Sequence, residues 1–125
     1  MRKKRQKGRC SKMKLNKAQE ICKCYDKIQD AFAHKLADDD NVNEFSMNVY
    51  LNFEKADLPG ESIPPEPYTT DFLIRWNDGS LAVRECVFRR MLSYPSAAKN
   101  LQTSKEYWEQ KGVSDWGIVI EKKQG

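Results

Sequence analysis

The stretch Phe72-Leu73-Ile74-Arg75-Trp76, Asn77-Asp78-Gly79-Ser80, Leu81-Ala82-Val83-Arg84-Glu85-Cys86-Val87-Phe88 reads as two strands folded about a turn. An Asp-Gly pair between two such runs is the strongest short-range hairpin signal, because glycine supplies the positive φ that a tight turn needs. Upstream, Phe45, Met47, Val49, Leu51 and Phe53 alternate with Ser46, Asn48, Tyr50 and Asn52, the period of a strand with one buried face. Residues 54 to 67 contain Pro59, Pro64, Pro65 and Pro67 and the Pro59-Gly60 turn signal, so they read as a loop.

Two helices complete the pattern. Asn16 is placed to cap a helix running to about Ala37, since Ile21, Tyr25, Ile28, Phe32 and Leu36 recur along one stripe. Asp38, Asp39 and Asp40 are unfavourable beside a helix C-terminus and are expected in a solvated turn. Pro95 suits a first helical turn and Gly112 a stop, with Ala98, Leu101 and Trp108 on one side. Trp116, Ile118 and Ile120 then alternate in a last strand, and a helix between two strands suits a right-handed parallel crossover. The order αβββαβ predicts an α/β domain with a mixed central sheet flanked by helices.

The chain has 125 residues, the size of one domain. Its net charge of +4 divides unevenly, because residues 1 to 17 hold nine Lys or Arg and no acid. The rest, residues 18 to 125, carries 13 basic and 18 acidic groups, a net of −5. Residues 1 to 15 therefore read as a disordered basic arm ahead of a domain spanning 16 to 125. Arg2, Lys3, Lys4, Arg5, Lys7 and Arg9 suit nonspecific contact with phosphates, each neutralised phosphate releasing a counterion; the alternative is a solubilising tail.

Cys10, Cys22, Cys24 and Cys86 lack C-x-x-C spacing and read as reduced thiols, with Cys22 and Cys24 splayed on the expected helix and Cys86 a small buried hydrophobe. No run of 18 apolar residues and no signal peptide is present, so the expectation is a cytoplasmic protein without a membrane partner.

Two acids stand at informative places. Asp71 follows Tyr68-Thr69-Thr70 at the start of the first hairpin strand, and Glu85 lies on the second strand 14 residues later. Together with Arg84-Glu85-Cys86-Val87-Phe88-Arg89, the second helix and Ser114-Asp115-Trp116-Gly117-Ile118-Val119-Ile120, these segments resemble the TnsA-type endonuclease domain, on a restriction-endonuclease-like core. The resemblance runs from roughly Asn16 to Lys122. It implies a DNA endonuclease in which Asp71 and Glu85 hold Mg²⁺ against the scissile phosphate. Glu20 is the best match to the family's catalytic helical Glu, with Asp26 and Asp30 on the same expected helix. Where the family pattern asks for Lys, two residues after Glu85, this chain has Val87.

The resemblance further implies DNA as partner, with Arg89 and Arg90 joining the arm as contacts. Small nucleases of this core need two sites to cut two strands, hence an expected homodimer, and the missing lysine and basic arm point instead to a protein partner from a mobile element or a host defence system. The alternative is a catalytically inactive DNA- or protein-binding accessory factor, or an inhibitor, on the same fold. Because strand side chains alternate, Glu85 meets Asp71 only if Cys86 turns to the other side, so a buried Cys86 is the expected mark of the site.

Overall fold

A computed structural model describes residues 10–51 and 69–121. The chain begins there with a small antiparallel ribbon, β1 (Ser11–Met13) and β2 (Cys22–Cys24), paired from Ser11↔Cys24 to Met13↔Cys22. Two sequence expectations are corrected here. Ser11–Met13, assigned to the arm, is a strand, while residues 1–9, with Arg2, Lys3, Lys4, Arg5, Lys7 and Arg9, lie outside the described residues. The helix expected from Asn16 begins only at Lys27, as α1 (Lys27–Asp38).

The physical reason is local. Lys17 adopts a positive φ of 74°, which no helix tolerates, and the cap is supplied by Asp26, whose carboxylate accepts the Gln29 N–H at 2.8 Å. Cys22 and Cys24 alternate with exposed Lys23 and both point inward, at 1% and 4% exposure. The apparent stripe from Ile21 to Leu36 thus joined a strand and a helix whose periods happen to agree over that span.

Four strands form the main sheet: β3 (Val42–Tyr50), β4 (Thr69–Trp76), β5 (Leu81–Cys86) and β6 (Asp115–Val119), in the order β3-β4-β5-β6. The first two pairings are antiparallel and the third is parallel. The parallel step is bridged by α2 (Pro95–Gln110), with Pro95 in the first turn and Gly112, at φ +89°, just beyond the end. The expected hairpin is present: Gly79 takes φ +90°, and the Asp78 carboxylate accepts the Ser80 N–H at 2.9 Å. The α/β architecture and the order αβββαβ are therefore observed, preceded by the β1–β2 ribbon.

Each sheet face has its own core. Ile28, Ala33 and Leu36 of α1 pack with Phe45, Phe72, Ile74, Ala82 and Cys86, whereas Tyr107 and Trp108 of α2 pack with Leu51, Leu73, Leu81 and Val83. The alternation of Leu73 with Phe72 and Ile74, and of Val83 with Ala82, assigns these residues to opposite faces. Phe72 and Ile74 are both 0% exposed, and burial of such side chains contributes roughly 1.5–3 kcal/mol each. The regular alternation expected in β3 is interrupted at Asn48, which adopts φ 53°. Phe53 and the proline-rich loop lie outside the described residues. Among the described residues no helix is long and apolar enough to cross a membrane.

Candidate functional site

The two hairpin strands separate at one end. The β4–β5 ladder runs from Arg75↔Leu81 to Phe72↔Arg84 and stops there, while β5 continues beside β6 through Glu85↔Ile118 and Cys86↔Val119. Asp71 and Glu85 sit at this fork, each at 0% exposure. Their carboxylates replace the missing ladder bonds. Glu85 Oε1 accepts the Asp71 backbone N–H at 3.1 Å, and Asp71 Oδ2 accepts the Cys86 backbone N–H at 2.7 Å. Backbone donors buried without partners are costly, so the acids serve the hairpin as well as lining the fork.

The remaining oxygens reach the two helices. Gln29 of α1 donates from Nε2 to Asp71 Oδ1 at 2.8 Å and to Asn48 Oδ1 at 2.9 Å. Its Oε1 accepts the Tyr25 N–H at 2.9 Å, which fixes the amide so that its NH₂, rather than its oxygen, faces Asp71. On the other face Ser104 of α2 donates its hydroxyl to Glu85 Oε2 at 2.6 Å and accepts Trp116 Nε1–H at 3.0 Å. Gln29 and Ser104 are themselves 0% exposed. A continuous polar line therefore crosses the sheet from Tyr25 through Gln29, Asp71, Glu85 and Ser104 to Trp116.

Neighbouring bonds hold this line in place. Asn48 tolerates its left-handed backbone, as Asn commonly does, and its Nδ2 donates to the Lys23 carbonyl at 2.8 Å, tying β3 to β2 beside Gln29. Trp108 Nε1 donates to Thr70 Oγ1 at 2.7 Å and so anchors the start of β4 to α2. Cys86 is 4% exposed and packs in the α1-side core, while Glu85 reaches α2. This is the register in which Glu85 meets Asp71.

Of the sequence-derived candidates, Asp71 and Glu85 are brought together. Glu20 is not on a helix; it lies in the exposed connection between β1 and β2, and the residue that α1 sends to Asp71 is Gln29. Asp26 caps α1, and Asp30 pairs with His34 at 3.2 Å. Gln29 and Ser104 were not anticipated, although Asp26-x-x-Gln29 is a recognisable helix-start signature.

The arginines near the hairpin have defined partners. Arg84 pairs with Asp115 at 2.8 Å and lies across Gly117, where an added Cβ would stand 3.5 Å from Arg84 Cδ. Arg89 gives its backbone N–H to Glu121 Oε1 at 2.8 Å, and that bond holds the Glu121 carboxyl below its ordinary range. The Arg90 guanidinium stands 4.8 Å over the Phe88 ring.

Carboxylate oxygens are the donor type Mg²⁺ takes, commonly one or two from the protein with water and phosphate in the remaining positions, and here all four oxygens of the pair accept bonds from the chain. Among the described residues no group of three or more His, Cys, Asp or Glu side chains suited to a metal exists. No protein-family model matches the chain, and a search of curated proteins finds no match.

Proposed function

We propose that this chain is a cytoplasmic, Mg²⁺-dependent DNA endonuclease-like protein of a mobile genetic element, on a restriction-endonuclease-type core resembling that of TnsA. The observation that supports it is the meeting of Asp71 and Glu85 at the fork of the hairpin, buried and opposed, on an αβββαβ core. Chance acids on a hairpin face solvent, since a buried carboxylate is costly unless it is well partnered. Asp71 and Glu85 are the residues that would hold Mg²⁺, and the ion would supply charge neutralisation at a scissile phosphate. The chain's own part is to orient the pair: Gln29 fixes Asp71, and Ser104 fixes Glu85. Duplex cleavage needs one site per strand, a need that a homodimer would meet.

A second reading is favoured by a specific observation. All four oxygens of the pair already accept bonds from the chain, and the motif lysine is replaced by Val87. This favours a catalytically inactive accessory factor or inhibitor that binds DNA, or a protein of a mobile element or host defence system, and uses the acids as a brace. A plasmid-nicking assay with Mg²⁺ and with Mn²⁺, run beside an Asp71→Asn control, separates the two. Metal-dependent nicking that the variant loses is the expected result, and nicking unchanged in Asp71→Asn, or none with either metal, leaves the binding-module account.

A further inference from the structure

From Cys86 to Lys105 the chain runs for 20 residues without an acid and carries Arg89, Arg90, Lys99 and Lys105, although residues 18 to 125 as a whole are net negative. The first part of this segment leaves the sheet at the fork end, directly after Glu85 and Cys86. Much of it faces solvent: Arg89, Arg90 and Lys99 are exposed, and two of its large apolar side chains, Leu92 and Tyr94, are 41% and 49% exposed. Tyr94 is the N-cap residue of α2 but makes no capping bond with its side chain, so the helix does not require its ring. At the same sheet end, Tyr50 closes the β3–β4 ladder opposite Thr69 and is 70% exposed.

Exposed cations beside one exposed aromatic ring, Tyr94, suit a polyanion that also offers flat faces. In a duplex the base faces are stacked on each other and cannot meet a tyrosine, whereas an unpaired strand presents both phosphates and bases. Ser104, the partner of Glu85, lies ten positions after Tyr94 along α2, about 15 Å at helical rise.

We propose that the segment from Phe88 to Lys99 is a docking track for an unpaired nucleic-acid strand leading to the Asp71–Glu85 fork, with Arg90 contacting phosphate and Tyr94 stacking on a base. This deepens the DNA-directed reading above, and rests on it, by naming the form of nucleic acid.

The test is fluorescence anisotropy of the full chain with a labelled oligodeoxynucleotide, single-stranded or annealed to its complement, in chelator so that binding is read without cleavage. The expected result is tighter binding of the single strand than of the duplex at matched salt. Tyr94→Ala should weaken single-strand binding roughly five-fold or more, Tyr94→Phe should retain it, and neither should alter duplex binding. Circular dichroism checks that both variants keep the fold. Equal affinity of Tyr94→Ala and the wild type for the single strand, or a preference for duplex, overturns the track. If plasmid nicking is nevertheless observed, the nuclease reading stands without it. Absence of binding to either form overturns the track, and the plasmid-nicking assay with metal decides the nuclease reading separately.

Discussion

Asp71 and Glu85 bind each other's strand: Glu85 accepts the Asp71 N–H at 3.1 Å, and Asp71 accepts the N–H of Cys86, the residue after Glu85, at 2.7 Å. The two acids therefore close the hairpin where its ladder ends, and any chemistry at the fork depends on bonds that also hold the fold.

Removal of either acid should be costly. Asp71→Ala removes the acceptor of the Cys86 N–H and of one of the two bonds donated by Gln29 Nε2, the other to Asn48 remaining, and a loss of about 3–5 kcal/mol is expected, the range for breaking a buried charged network. Asp71→Asn, which keeps shape and one acceptor, should lose less. Urea denaturation monitored by tryptophan fluorescence measures both; a change below about 1 kcal/mol in Asp71→Ala would contradict the bracing role.

Gln29 should behave as an oriented donor rather than as filler. Gln29→Leu keeps the approximate volume but strands the Tyr25 N–H and removes the donor to Asp71, so a destabilisation of about 2–4 kcal/mol is expected. Gln29→Glu places a third carboxylate against Asp71. Its stability deficit should narrow as pH falls through the carboxylate range, because protonation removes the like-charge repulsion. A pH-independent deficit would assign the effect to shape alone.

The fold was legible where local chemistry and pattern agreed. Asn77 to Ser80, with Gly79 at positive φ, and Pro95 and Gly112 at the ends of α2 specify their own conformations, so the hairpin, the crossover and the mixed sheet follow from residues visible in the chain. The start of α1 did not follow, because Cys22-Lys23-Cys24 alternates while Ile28 to Leu36 has helical period, and the two can be overlaid on one stripe. Of the site, Asp71 and Glu85 were readable from hairpin spacing. Gln29 and Ser104 were not, since their burial depends on helices crossing the sheet at one point, a tertiary fact that no local period encodes.

The buried thiols of β2 set an alkaline limit. Burial pushes the Cys24 thiol up from 9.0 to about 12, with Asp30 and Cys22 adding in the same direction, and burial raises Cys22 as well. A folded-state value above the unfolded one contributes stability that is fully present below pH 9.0 and is lost as pH rises toward about 12. Stability should therefore decline through that window, and less steeply in Cys24→Ala. Parallel curves for the two proteins would refute the assignment.

The N-terminal cations should show in salt dependence. A chain lacking residues 1–9 loses Arg2, Lys3, Lys4, Arg5, Lys7 and Arg9, and each phosphate contact so removed should reduce the slope of log affinity against log salt by about 0.9 for duplex DNA. An unchanged slope would transfer the phosphate contacts to the folded body, with Arg89 and Arg90 as the first residues to test.

The central claim, that Asp71 and Glu85 form a metal-holding pair, is tested most directly by isothermal titration calorimetry of the full chain with Mn²⁺ and Mg²⁺ beside Asp71→Asn and Glu85→Gln. One divalent-ion site per chain in the wild type, lost or strongly weakened in both folded variants, is the predicted result. No divalent binding in the wild type, or binding that survives both substitutions, would contradict it and leave the pair as a structural brace.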